Sequence, residues 1–239
     1  MVNVVTYGAS VRGPRNKKAK QRNQDAWLHA TGAFGSVIAV CDGLGSRTQS
    51  RHGADAACRA VQQAVRHWPG CASGAQPDHL IHLVEVLWRF ALRGESPSSC
   101  ATTCCFALCE PTGHIVLAGL GDGMAAALSD EQHVLVYGAR GENDFGNETL
   151  ALGTSHRVTD WWFDTLAPGH VRHVMLASDG VADDLAREKL GGFIATLTSS
   201  YGGLEPAARW RALMRELREW PVPHHVDDKT LVVMTMEDS

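Results

Sequence analysis

The chain has 239 residues, 44% of them hydrophobic and 20% charged, enough to bury a full core, and the length fits one domain spanning 1–239. Its 22 basic and 26 acidic residues leave a formal charge of -4, which argues against a nonspecific nucleic-acid binder. No stretch reaches the roughly 18 consecutive apolar residues of a membrane span, the start MVNVVTYGAS has no basic leader, and cysteines lie inside apolar runs such as CATTCCFALC; the expectation is a soluble cytoplasmic protein in a reducing compartment, with neither nucleic acid nor membrane as partner.

Residues 2–7 and 26–31 have strand-like composition, and SVIAVCD is an apolar run of the length that suits a central strand. SRHGADAACRAVQQAVRHW then places Ala54, Ala57, Cys58, Val61, Ala64 and Val65 at helical spacing, with Pro69 and Gly70 as the stop. PDHLIHLVEVLWRFALRG repeats the helical period, with Asp78 as N-cap and Gly94 past the end. Three strand candidates follow, ATTCCFALCE, HIVLAGLGD and GMAAALSD, joined by turn signals that predict antiparallel hairpins. Residues 138–170, rich in Gly, Asn and Asp, predict a mostly irregular segment lying over a site. The buried strand HVMLASDG, a helix over EPAARWRALMRELREW and the strand KTLVVMTM complete the chain, and helix pairs between hairpins predict an α+β sandwich.

Apolar strands repeatedly end on an aspartate followed by glycine: VIAVCDG at Asp42, VLAGLGDG at Asp122 and VMLASDG at Asp179. Asp227 and Asp228 stand just before TLVVM, and Asp25 just before AWLHA. A single Asp-Gly is ordinarily a turn. A gathered set of carboxylates repels itself and is driven toward protonation unless a cation compensates it. Magnesium and manganese favour oxygen ligands and retain water, so a few aspartates from distant strands would suffice. Glycine after each aspartate would allow close backbone approach and offer its own carbonyl.

These pieces, taken in order, resemble the PP2C (PPM) family of metal-dependent protein serine/threonine phosphatases, in its compact bacterial form. The resemblance rests on RNQDAW, AVCDGLGSRTQSRHGADAA, SSCATTCCFAL, LAGLGDG, MLASDGVADDL and VDDKTLVVM, and it covers nearly the whole chain. It implies a four-layer α-β-β-α sandwich of two antiparallel sheets flanked by helix pairs. It also implies two Mn2+ or Mg2+ ions, with Asp42 bridging them, Gly43 offering its carbonyl, and Asp179 and Asp227 completing the set. Asp122 would mark a third ion, and Asp25 would act beside Asp42 in catalysis. The implied reaction is hydrolysis of phosphoserine or phosphothreonine by activated water, on a protein kinase or its targets, by a monomer.

The chain departs from the family pattern in several places. Leu44 stands where many members have the histidine proposed as general acid, leaving His52, His224 or His225 as substitutes, and Gln24 stands where many have an acid. The phosphate-binding arginine has no unique match in the basic run RGPRNKKAKQR, where Lys20 and Arg22 are the leading candidates beside Arg15 and Lys18. Two other functions stay open: a pseudophosphatase that binds phosphoproteins or a kinase without turnover, and a phosphoesterase acting on small molecules.

Overall fold

The computed structural model describes residues 2–129, 131, 133–138, 149–222 and 225–237. The chain opens with β1 (Asn3–Val11), a short helical turn α1 (Pro14–Lys18), and the hairpin of β2 (Asp25–Gly32) and β3 (Gly35–Asp42). Next come the long helices α2 (Ser50–His67) and α3 (Pro77–Ala91), then β4 (Cys104–Cys109), β5 (Ile115–Leu120), β6 (Met124–Leu128) and β7 (Val134–Gly138). The second half adds β8 (Trp162–Leu166), β9 (His173–Ala177), the short α4 (Asp179–Ala182), the helices α5 (Leu190–Tyr201) and α6 (Pro206–Arg218), and β10 (Lys229–Glu237). Two five-stranded antiparallel sheets result, ordered β1-β10-β9-β6-β7 and β2-β3-β4-β5-β8.

Successive strand residues point to opposite faces, so a strand buried on both faces is apolar throughout. In β3, Val37, Ala39 and Cys41 pack toward α2 and α3, while Ile38 and Val40 pack toward the other sheet. In β9, Met175 and Ala177 meet Leu190, Ile194 and Leu213 of α5 and α6, while Val174 and Leu176 turn inward. The hydrophobic clusters are therefore helix on sheet, sheet on sheet and sheet on helix, which is a four-layer α-β-β-α sandwich. Small residues along α2, among them Ala54, Ala57 and Ala64, are fully buried and let the helix lie close on β2 and β3. Burial of a large anchor such as Phe106 contributes about 1.5–3 kcal/mol.

Hydrogen bonds join the two sheets at both open sides. Thr6 Oγ1 lies 3.0 Å from His29 Nδ1, linking β1 to β2. On the far side, the Tyr137 hydroxyl of β7 donates to Asp164 Oδ2 of β8 at 2.6 Å.

Several expectations are corrected. β5 and β6 do not form a hairpin; the turn at Gly121 (φ 102°) carries the chain from one sheet to the other, so β5 pairs with β4 and β8, and β6 with β7 and β9. Asp78 is not the N-cap of α3. Gln76 holds that place and Pro77 opens the helix, which puts the Asp78 carboxylate in the first turn, where the helix dipole favours it. Within the segment 138–170, expected to be mostly irregular, the described residues include the edge strand β8, whose Trp162 ring lies over Gly119, where a Cβ would come within 2.2 Å of it. Residues 139–148, part of the stretch expected to cover a site, lie outside the described residues.

Two glycines make opposite predictions. A Cβ at Gly53, inside α2, would fall 1.7 Å from the Cys100 carbonyl oxygen, whereas at Gly192, in α5, it would meet nothing within 4 Å. Urea unfolding is expected to show Gly53→Ala destabilised by about 1–3 kcal/mol from overpacking, and Gly192→Ala stabilised by about 0.5–1 kcal/mol from helix propensity.

Candidate metal centre

Antiparallel register sets Asp25, the first residue of β2, directly opposite Asp42, the last of β3. Like charges so placed repel each other. Asp25 is only 1% exposed. Its Oδ2 accepts hydrogen bonds from Ser178 Oγ at 2.8 Å and Thr230 Oγ1 at 2.6 Å, both from the other sheet's strand ends, while its Oδ1 is buried with no hydrogen-bond partner among the described residues. Burial, only partly offset by the Thr230 hydrogen bond, pushes its pKa up to about 7. Asp42 is driven well above the usual carboxylate range, first by burial and then by the charges of Asp25 and Asp179.

The Asp42 backbone is fixed from β4's side. Its N–H donates to Thr103 Oγ1 at 3.0 Å, and its carbonyl accepts from the Thr103 N–H at 2.8 Å and Thr102 Oγ1 at 2.9 Å. Gly43 then meets the start of α2 so closely that a Cβ would lie 2.6 Å from the Ser50 backbone. The glycine here lets a helix N-terminus close onto a strand end.

Asp179 follows β9 and opens α4, and its Oδ1 is also buried without a hydrogen-bond partner among the described residues. Burial first, and then the charges of Asp122 and Asp227, push its pKa up to about 6, with Asp183 adding to the effect. Asp122 sits on the turn between the sheets and accepts from Thr149 Oγ1 at 3.1 Å. The adjacent Asp227 and Asp228 do different jobs. Asp227 is partly exposed and forms an ion pair with Arg15 at 3.1 Å. Asp228 is buried and accepts from the Gly13 N–H at 2.6 Å, Asn16 Nδ2 at 2.8 Å and the Gln24 N–H at 2.6 Å, so its carboxylate is committed to holding the chain together.

The structure therefore brings Asp25, Asp42, Asp122, Asp179 and Asp227 into one neighbourhood of negative charge. Among the described residues no three His, Cys, Asp or Glu side chains stand closely enough to hold a metal by themselves. Water would have to complete any coordination shell. The partnerless oxygens of Asp25 and Asp179, in a set whose side-chain donors are all carboxylate oxygens, fit a hard divalent cation such as Mg2+ or Mn2+.

The basic run is anchored rather than loose. The Arg15 N–H bonds the Val226 carbonyl at 3.0 Å and the Arg12 guanidinium donates to the Gln21 carbonyl at 3.0 Å. With Arg15 engaged by Asp227, Lys20 is left with an exposed amine on a left-handed backbone (φ 55°), in the loop that runs into Asp25. Arg22 lines a cavity at the start of α2. Of the histidines, His52 faces the Leu92 carbonyl at 3.4 Å, and His225 Nδ1 lies 2.8 Å from Asp184 Oδ2, which also accepts from the Trp220 indole at 2.8 Å. His225 Nε2 stands beside Gly180, 3.5 Å from where a Cβ would be, and His224 lies outside the described residues. Gln24 Oε1 accepts from Asn16 Nδ2 at 3.3 Å.

Sequence reasoning quoted Thr102, Thr103, Ser178 and Thr230 inside motifs without giving them work. Ser178 adjoins Asp179 and Thr230 follows Asp228 by two residues, whereas Thr102 and Thr103 have no aspartate near them in the sequence and carried no such signal.

The sequence model for protein phosphatase 2C matches residues 12–220. No curated protein matches the chain significantly. Among solved structures, the catalytic domain of the serine/threonine protein phosphatase PstP in complex with two manganese ions superposes with a TM-score of 0.68 at 18% identity, covering 100% of both chains. Stp1, a serine/threonine phosphatase from Staphylococcus aureus, gives 0.70 at 14% identity, over 100% of this chain and 96% of that one. The PPM Ser-Thr phosphatase MsPP from Mycobacterium smegmatis, in complex with cacodylate, gives 0.64 at 21% identity over 98% of each. On the family match, with the fold and the ordered aspartates in agreement, the chain belongs to the protein phosphatase 2C family of metal-dependent protein serine/threonine phosphatases.

Proposed function

We propose that the chain hydrolyses phosphoserine and phosphothreonine on proteins, a kinase or its targets among them, at a centre of two Mg2+ or Mn2+ ions. The observation that carries this reading is the pair of buried carboxylate oxygens, on Asp25 and Asp179, that lie within a cluster of like charges and have no hydrogen-bond partner among the described residues. The manganese ions of the similar PstP structure support it. When bound, such ions supply a nucleophile at neutral pH by lowering the pKa of water, and they offset charge on the transferring phosphoryl group.

Asp42, Asp179, Asp227 and the Gly43 carbonyl would hold the two ions, and Asp122 would hold a third. Asp25 is held by Ser178 and Thr230 through one oxygen, which leaves the other free to orient a water near Asp42. Lys20 would meet the substrate phosphate from the loop ahead of Asp25, as a point charge in place of a bidentate arginine. Leu44 and Gln24 favour a second reading, binding of phosphoproteins without turnover. The gathering of repelling carboxylates speaks against it, because a scaffold gains no stability from that arrangement.

Hydrolysis of p-nitrophenyl phosphate and of a phosphothreonine peptide, with Mn2+, with Mg2+ and with EDTA, tests the reading. Turnover is expected only with metal, and Asp42→Asn is expected to lower it by at least about 10²-fold while the protein stays folded. Absence of turnover from folded protein under every condition would favour the binding-only reading.

The metal-free protein carries a stability signature of its own. The pKa values of Asp25 (about 7) and Asp179 (about 6) lie above their ordinary value of 3.8, so between pH 4 and 7 the folded state holds protons that the unfolded chain has released. Stability must then fall as pH rises through that window. Thermal melts in EDTA are expected to show a lower Tm at pH 7.5 than at pH 5. Mn2+ at about 100 times its Kd is expected to restore about 2.7 kcal/mol at pH 7.5, and an Asp42→Asn variant should respond far less.

A further inference from the structure

Residues 149–156, ahead of β8, run past two of the strand-end aspartates. The Thr149 hydroxyl donates to Asp122 Oδ2 at 3.1 Å. The Leu150 carbonyl lies 2.8 Å from where a Cβ of Gly121 would stand, so the glycine before Asp122 lets the segment come down onto that turn. Leu152 exchanges two backbone hydrogen bonds with Thr102, at 2.9 and 3.1 Å, and Thr102 Oγ1 in turn donates to the Asp42 carbonyl. The Thr154 hydroxyl closes the next turn, donating to the Ala151 carbonyl at 2.8 Å and accepting from the Ala151 N–H at 3.1 Å.

The far end of this segment is pinned to α3 by two ionisable groups that the reaction does not use. His156 Nε2 and Glu85 Oε1 meet at 2.9 Å, with only 6% and 19% of the two side chains exposed. The same Oε1 accepts from the Trp161 indole at 3.0 Å, and His156 Nδ1 lies 3.0 Å from the Thr154 carbonyl. Both partners of the ring are acceptors, so it holds both when each nitrogen carries a proton. Arg157 and Asp160, also on the segment, pair with each other at 3.1 Å. Glu85 stands one turn from Ile81 and Trp88, which are buried in the core, and a carboxylate there is costly to desolvate unless it is paired.

We propose that Glu85 and His156 are positioning residues for the metal centre: by fixing residues 149–156 on α3 they keep the Thr149 hydroxyl on Asp122 and so tighten the binding of a divalent cation there. The inference rests on the reading of the aspartates as metal ligands. A carboxylate that ligates a metal is itself oriented by hydrogen bonds, and loss of such a partner typically weakens metal affinity by 10–100-fold. Glu85 acts one step further out, through the backbone that carries Thr149.

The test uses the whole 239-residue chain. Hydrogen exchange in EDTA reads the segment by itself: Glu85→Ala is expected to speed exchange of the Leu152 and Thr102 amides, which bond each other's carbonyls, by about tenfold. Equilibrium dialysis with Mn2+ then reads the ion that Asp122→Asn removes. Its Kd is expected to rise about tenfold in Glu85→Ala and in Thr149→Val, and no further in the double variant, because both act through one contact. Ile81→Val destabilises α3 without touching the pair and is expected to leave that Kd unchanged, which separates positioning from loss of stability. If Glu85→Ala does not fold, Glu85→Gln, which keeps the volume and an acceptor but drops the charge, is expected to move exchange and Kd in the same direction. Unchanged exchange, an unchanged Kd, additive effects of the two substitutions, an equal rise in Ile81→Val, or no Asp122-dependent ion in the wild type would each overturn the positioning role. Hydrolysis of p-nitrophenyl phosphate by the same wild-type sample reports separately on the phosphatase reading, which stands if turnover is seen and the positioning role fails.

Discussion

The mutual repulsion of buried carboxylates is the constraint around which this end of the sandwich is arranged. Asp25 and Asp42 face each other across one β-ladder, and Asp179 approaches Asp42 from the opposite sheet, so no single strand could relieve the strain by a local change of register. Hydroxyl donors on Ser178 and Thr230 satisfy one oxygen of Asp25, and Thr102 and Thr103 hold the backbone of Asp42. These neutral donors position the carboxylates without discharging them. The residual negative charge is what a divalent cation would meet.

The elements with both faces buried were legible because an unbroken apolar run of strand length, bounded by turn residues, is what a strand covered on both sides requires; β3, β4, β5, β9 and β10 are of that kind. Their partners were less so. Nothing in AGLGDGMAA distinguishes a hairpin from a passage between sheets, because the same turn residues serve both and only the inter-sheet core, with Leu117 on one side and Ala125 on the other, decides it. β8 and α5 escaped for a different reason. β8 is an edge strand whose Phe163 is half exposed, and α5 carries two glycines and no charged residue, so neither shows a clear polar face.

Within the site, the identity of the aspartates was readable from their recurrence at strand ends, and their inequality was not. Asp227 and Asp228 are chemically identical neighbours, and only the burial of Asp228 against Gly13, Asn16 and Gln24 separates them. That buried carboxylate anchors residues 13–24, the stretch with most of the basic run, to the strand end that carries Asp227. A run of charges that would ordinarily trail in solvent is thereby given a fixed path beside the metal centre.

The bonds at the two open sides of the sandwich bear on the site from a distance. Asp25 and Asp42 belong to one sheet, and Asp179 and Asp227 to the strand ends of the other, so the spacing between these pairs is the spacing between sheets. Apolar side chains between sheets resist separation but oppose sliding only weakly, since hydrophobic contact is non-directional. A slip of one residue along the strands, about 3.3 Å, would carry one pair past the other. The Thr6–His29 and Tyr137–Asp164 bonds are directional and cross the gap at its two edges. They act as dowels against shear, keeping two independently hydrogen-bonded slabs aligned to within the tolerance of a coordination sphere.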